Sequence, residues 1–169
     1  MPKLIENPEK KLLAETKRQI EDVGYGTMTV RSVAAACGVG VGTVYNYYPS
    51  KEALVAAYML QDWRPCITRI RQTAKNALDA KEVVRCMYDQ LRQFAAAHET
   101  VLGDTDAKRV FAQVSEGYHG LLCQQLTEPL VPFCPDAFTA HFVAEALLTW
   151  SMEVASFEDL YGIIRKILK

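Results

Sequence analysis

A chain of 169 residues, half of them hydrophobic, can bury a sizeable core as one unit or as a small head on a larger body, which excludes an intrinsically disordered tail protein. The formal net charge of -1 gives no global signal for a polyanionic partner, so contact with nucleic acid has to come from a local surface. Residues 1–60 carry seven Lys and Arg against six Asp and Glu, and residues 61–169 carry twelve against fourteen, a difference of the right sign and small size.

Strand signals are scarce and apolar residues recur at helical spacing almost throughout, so the expected fold class is all-α. The first helix is expected to open with Asn7 as N-cap and Pro8 at its first position, to bury Leu12, Leu13, Ile20 and Val23, and to stop at Gly24. Thr29 then caps a short second helix carrying Val30, Val33, Ala34 and Cys37, which Gly38 ends. The connection Gly38-Val39-Gly40 leads into a third short helix from Val41 to Tyr48, interrupted by Pro49 because the residue before a proline avoids the α region. Ser50 caps a fourth helix that starts Lys51-Glu52-Ala53-Leu54-Val55, and Pro65 inside its apolar pattern predicts a kink or break near Trp63 to Pro65.

Further helices are expected over 80–98, 105–127, 136–154 and 157–168. The segment Glu128 to Pro135 holds three prolines and reads as a connection, its apolar content placing it against the body. The domain boundary is drawn at 49/50, with a head over 1–49 and a regulatory and dimerisation body over 50–169. Cys37, Cys66, Cys86, Cys123 and Cys134 are odd in number and scattered, unlike a disulfide framework or a paired CxxC metal knot. With no signal-peptide core at the N-terminus and no run of about 18 apolar residues, a cytoplasmic setting without a membrane partner is expected.

The informative segment runs from Thr29 to Leu54. Two short helices joined by a glycine-containing turn are the arrangement that lays the second helix in a DNA major groove. Ala34 is small where the helices cross, and Val33, Val39, Val44 and Tyr48 are the residues expected to fix the crossing angle. Val41, Gly42, Thr43, Tyr45, Asn46 and Tyr47 are then left largely outside that small core. Their hydroxyl groups and the N–H groups of helix starts suit phosphate oxygens without needing net charge. Lys51 lies in the first turn of its helix, where the dipole disfavours a cation, and an anion in front of that turn, such as a DNA phosphate, would relieve the conflict.

Ala34, Gly38-Val39, Gly42-Thr43-Val44-Tyr45 and Tyr47-Tyr48-Pro49-Ser50-Lys51-Glu52-Ala53-Leu54, together with Gly24-Tyr25, resemble the signature of the TetR family of transcriptional regulators over residues 8–56. The resemblance implies a three-helix helix-turn-helix head on a helical ligand-binding and dimerising body. It implies phosphate contacts from Thr29, Thr43, Tyr45 and Lys51, base-edge or nearby backbone contacts from Arg31, Val41, Asn46 and Tyr47, and close approach at Gly42. Three positions depart from the common pattern: Gly40 replaces a serine N-cap, Val41 a polar residue, and Tyr48 a phenylalanine. Val41 is left with a methyl contact only, so direct readout rests on Arg31, Asn46 and Tyr47.

In the body, the last two helices carry Phe138, Phe142, Leu147 and Trp150, then Leu160, Ile163, Ile164 and Ile167, and these are expected to pair with their twofold copies in a homodimer. A homodimer of heads would require a pseudo-palindromic operator in double-stranded DNA. Tyr58, Trp63, Met87, Phe94, Phe111, Tyr118 and Trp150 are candidates to line a pocket for a small apolar or aromatic effector that shifts DNA affinity, with ordinary core as the competing reading of each. His98, His119 and His141 are far apart and are read as lacking helical i, i+4 partners, so neither a metal nor another cofactor is expected. No GxxxxGK, HExxH or GxSxG occurs, which argues against an enzyme. The competing class is a helical protein-interaction module that keeps the head without reading DNA.

Overall fold

The computed structural model describes residues 7–151 and 156–169, and leaves the side chains at 106 and 108–117 aside. Its regular elements are all helical: α1 (Pro8–Thr27), α2 (Val30–Cys37), α3 (Val41–Tyr47), α4 (Lys51–Asn76), α5 (Ala80–Ala97), α6 (Glu99–Leu102), α7 (Thr105–Leu130), a 3-10 turn (Val131–Phe133), α8 (Ala137–Trp150) and α9 (Phe157–Ile164). The backbone falls into two compact units, Met1–Gln61 with His98–Val114 and Asp62–Ala97 with Ser115–Lys169.

In the first unit, α1 starts on Pro8, whose missing N–H is one that a helix start cannot use. Asn7 precedes it in the left-handed region at φ 58° with no side-chain cap bond. Leu12, Thr16, Gln19 and Ile20 form the buried stripe, with Leu13 beside it, and the Thr16 hydroxyl donates to the Leu12 carbonyl at 2.8 Å. Val23, expected in that stripe, is 52% exposed. The helix breaks directly after it at Gly24, with φ 80° and ψ 163°, and Tyr25 and Met28 beyond the break supply the buried groups at this end instead. Leu12, Ile20, Met28, Val33, Ala34, Val44 and Leu54 are fully buried together, and Val101 and Ala107 join them. The single-turn helix α6, too short to show a hydrophobic period, packs on α1.

In the second unit, Val83, Val84, Met87 and Leu91 of α5 are fully buried, as are Leu126 and Leu130 of α7 and Ala140, Val143, Ala144 and Leu147 of α8. Helix α9 packs on α5 and α8. It opens on Ser156, whose hydroxyl accepts from the Asp159 N–H at 3.2 Å as the capping pattern requires. The chain end is tied by the Lys169 N–H donating to the Phe133 carbonyl at 3.0 Å.

Two of the prolines lie inside helices. Helix α4 runs from Lys51 to Asn76 with Pro65 inside it, so of the kink or break expected there the break does not occur. Pro65 and Gln61 are both exposed, so the carbonyl that the proline leaves without its helical partner, that of Gln61, belongs to a residue open to water. Helix α7 likewise continues through Glu128, Pro129 and Leu130 before the 3-10 turn, shortening the expected connection. A proline φ is itself helical, so near a C-terminal turn it costs a hydrogen bond and not the conformation. Leu130 and Cys134 are buried, as the apolar content of that segment led us to expect.

Candidate nucleic-acid interface

The geometry of the head is set at three backbone points. Thr29 caps α2: its hydroxyl accepts the Ser32 N–H at 3.0 Å while the Ser32 hydroxyl accepts the Thr29 N–H at 3.2 Å, a reciprocal capping box. Gly38 ends α2 in the left-handed region at φ 68°, ψ 30°, and the Val39 N–H returns to the Ala34 carbonyl at 3.0 Å, closing a Schellman turn that a residue with a Cβ would strain. Tyr48 ends α3 in extended backbone before Pro49, and the Ser50 hydroxyl then accepts the Ala53 N–H at 3.1 Å at the start of α4.

These points place Val44 inward, fully buried, between Val33, Ala34 and Tyr48 of the same core. On α3 the remaining groups are left outside: Gly42, Thr43, Tyr45, Asn46 and Tyr47 are all exposed, with the two tyrosine rings at 47% and 46%. Two half-open tyrosines on a two-turn helix are far more apolar surface than a solvated helix ordinarily leaves uncovered. Thr29 and Arg31 are exposed at the start of α2. Among the described residues, its own helix backbone and chain neighbours aside, nothing lies within 4 Å of a Cβ built on Gly42, so the space in front of it is open.

Two residues sit differently from expectation. Val41 is half-buried and packs against the head core, so less of it is left for a thymine methyl. Lys51 does not simply point outward: its ammonium donates to the Tyr25 carbonyl at 2.5 Å and lies 4.2 Å over the Tyr25 ring. The negative C-terminal end of α1 thus answers the cation that the start of α4 disfavours, and burial draws the Lys51 pKa below the ordinary lysine range. The Tyr48 hydroxyl, the departure from phenylalanine, reaches Glu9 Oε1 at 3.3 Å, and burial with that carboxylate raises its pKa to about 12.

Of the residues expected to line an effector pocket, the described ones are placed as follows within each unit. Tyr58 is buried in the first unit against the His98 ring, 5.4 Å away. Trp63, Met87 and Phe94 are core of the second unit, with Trp63 edge-on to Phe94 at 5.4 Å and its indole N–H donating to Gln125 Oε1 at 2.8 Å. Trp150 is 56% exposed, Tyr118 is half-buried, and Phe111 lies outside the described residues. A depression of about 540 Å³ in the second unit is lined by Arg71, Ala74, Lys75, Glu128, Pro129 and Pro132. Those residues offered sequence reasoning no signal, since they meet only once α4 and α7 are folded.

The expected interface residues divide in two. Phe138, Phe142, Trp150, Ile163 and Ile167 are exposed, at 78%, 52%, 56%, 65% and 36%. Leu147, Leu160 and Ile164 are buried in their own chain and are corrected to core, because α8 and α9 turn those sides to each other and to α5.

A short capped helix, a Schellman turn and a second short helix with an outward polar and aromatic face define a helix-turn-helix head on a helical body. Residues 12–58 match the model of the family described as bacterial regulatory proteins, tetR family. The chain is 29% identical over 66 residues to the HTH-type transcriptional regulator UidR of Escherichia coli, covering 38% of this chain and 34% of UidR. It is 43% identical over 53 residues to YvaF of Bacillus subtilis, described as an uncharacterized HTH-type transcriptional regulator, covering 31% and 27%. The match therefore spans about a third of these relatives. Over the whole length, the backbone resembles the TetR family repressor AlkX from Dietzia sp. with a TM-score of 0.64 at 15% identity, covering 94% of this chain and 92% of AlkX, a likeness of fold.

Proposed function

We propose that this protein is a homodimeric, sequence-specific DNA-binding transcriptional regulator that acts as a repressor on a pseudo-palindromic operator and is released by a small apolar or aromatic ligand. The observation that carries the reading is the outward face of α3, where Thr43, Tyr45, Asn46 and Tyr47 stand exposed around a fully buried Val44. Thr43, Tyr45 and Thr29 bond phosphate, Arg31, Asn46 and Tyr47 read base edges or adjacent backbone, and Gly42 lets the backbone close in. Lys51 keeps N–H donors beyond the one given to Tyr25.

The exposed aromatic and aliphatic groups of α8 and α9 support pairing with a second copy, and twofold symmetry then fixes two half-sites. The protein is a binder and not an enzyme, and works in the cytoplasm; among the described residues no helix is long and apolar enough to cross a membrane. Selection of bound duplexes from a random pool tests the reading: an inverted repeat with half-sites about one helical turn apart supports it, and recovery of no enriched duplex refutes it.

A further inference from the structure

His119 and Cys123 lie four residues apart on α7, and His141 and Glu145 lie four apart on α8, so each helix presents two ligand-type side chains on one face. Counted only against one another the histidines have no such partner; counted against cysteine and glutamate, two of them do. The fold brings the pairs together. Cys123 Sγ lies 3.6 Å from His141 Nδ1, and ligand atoms of Cys123, His141 and Glu145 lie within 4.8 Å of one another. His119 Nε2 is 2.7 Å from Glu145 Oε2. The thiol is buried while His119, His141 and Glu145 are 48%, 56% and 36% exposed, a closed floor under a rim that solvent reaches.

We propose that Cys123, His141 and Glu145 form a binding site for a zinc-class divalent cation, with His119 holding the Glu145 carboxylate. A tetrahedral ion about 2.3 Å from sulfur and about 2.0 to 2.1 Å from nitrogen sets those two atoms roughly 3.5 Å apart, which is the spacing found between Cys123 and His141. Glu145 completes the set by a turn of its partly exposed side chain, leaving a fourth position to water. One thiolate, one imidazole and one carboxylate suit zinc better than magnesium or calcium, which take oxygen ligands. The His119 contact to the second carboxylate oxygen is the outer hydrogen bond that orients a ligating group.

Binding exchanges the Cys123 thiol proton for the cation: the S–H bond breaks, a sulfur–metal bond forms and one proton passes to solvent. Ligating cysteine must be deprotonated, so binding is coupled to pH. The proposal does not depend on DNA binding.

Titration of the untagged, reduced full chain with zinc against a competing chelator tests it. One equivalent is expected, with Cys123→Ser and His141→Ala each weakening it by at least about a hundredfold, His119→Ala by about 10- to 100-fold, and Cys66→Ser leaving it unchanged. Cobalt substitution is expected to give a thiolate-to-metal charge-transfer band that Cys123→Ser abolishes. His141 is exposed, so its variant retains the fold even if that of buried Cys123 does not, and circular dichroism checks both. Failure of the wild-type chain to take up an equivalent, or wild-type affinity in His141→Ala, overturns the site. Wild-type affinity in His119→Ala overturns the role given to His119.

Discussion

The Lys51 ammonium joins the start of α4 to the end of α1, donating to the Tyr25 carbonyl at 2.5 Å while lying 4.2 Å over the ring of the same residue. A hydrogen bond from a charged donor contributes about 1.5 to 3 kcal/mol, so Lys51 has a structural task before any DNA arrives. Lys51→Met, which keeps the aliphatic stem, is expected to lower stability in urea by about 1 to 2 kcal/mol without DNA. An unchanged midpoint would remove this account. If the other ammonium hydrogens meet a phosphate, the same variant reduces the salt dependence of DNA affinity by about one unit of slope.

Gly42 separates folding from binding. Among the described residues, its own helix backbone and chain neighbours aside, nothing lies within 4 Å of a Cβ placed there, and its φ is not in the left-handed region, so alanine fits. Gly42→Ala is expected to stabilise the head by about 0.5 to 1 kcal/mol, because alanine loses less backbone freedom in a helix than glycine. It is expected to weaken operator binding at least about tenfold by holding the phosphate backbone off α3, a cost of about 1.4 kcal/mol. Calorimetry and a binding isotherm on the same sample check both signs. Equal affinity with raised stability would mean that α3 does not approach DNA at this point.

The turn chemistry of the head was legible because each signal acts within a few residues: Thr29 as a cap, Gly38 at positive φ, Pro49 after Tyr48. What the sequence hid depends on distant partners. The Trp63 bond to Gln125 spans 62 residues, and the burial of Leu147, Leu160 and Ile164 is decided by where α5 packs, not by their own spacing. The boundary read at 49/50 came from a change of motif, whereas compactness carries the first unit to Gln61 and brings in His98–Val114, which no local signal announces. The His119–Cys123 and His141–Glu145 spacings were readable, and were missed because histidine was compared only with histidine.

Phe142 and Leu147, grouped together in the sequence, are expected to respond oppositely. Phe142 is 52% exposed, so Phe142→Glu leaves the monomer fold intact and breaks self-association by burying an unpaired charge at the interface. Leu147 is fully buried, so Leu147→Ala costs about 2 to 5 kcal/mol of fold stability. Sedimentation velocity paired with urea denaturation distinguishes them. A Phe142→Glu protein that still dimerises would place the interface elsewhere.

Pro65 forfeits the backbone bond to Gln61 within an otherwise continuous helix, close to where α4 passes from one compact unit to the other at Gln61 and Asp62. Proline in a helix interior is about 3 kcal/mol less favourable than alanine, and Pro65 is exposed, so replacing it removes little buried surface. Pro65→Ala is therefore expected to raise stability by about 1 to 3 kcal/mol, read as a higher urea midpoint. If an effector acts by flexing α4 at this weak point, the variant also responds less to it, since the ligand then works against a restored hydrogen bond. A midpoint that falls would show that the surrounding structure is built around the proline, and the helix would not be weakened there at all.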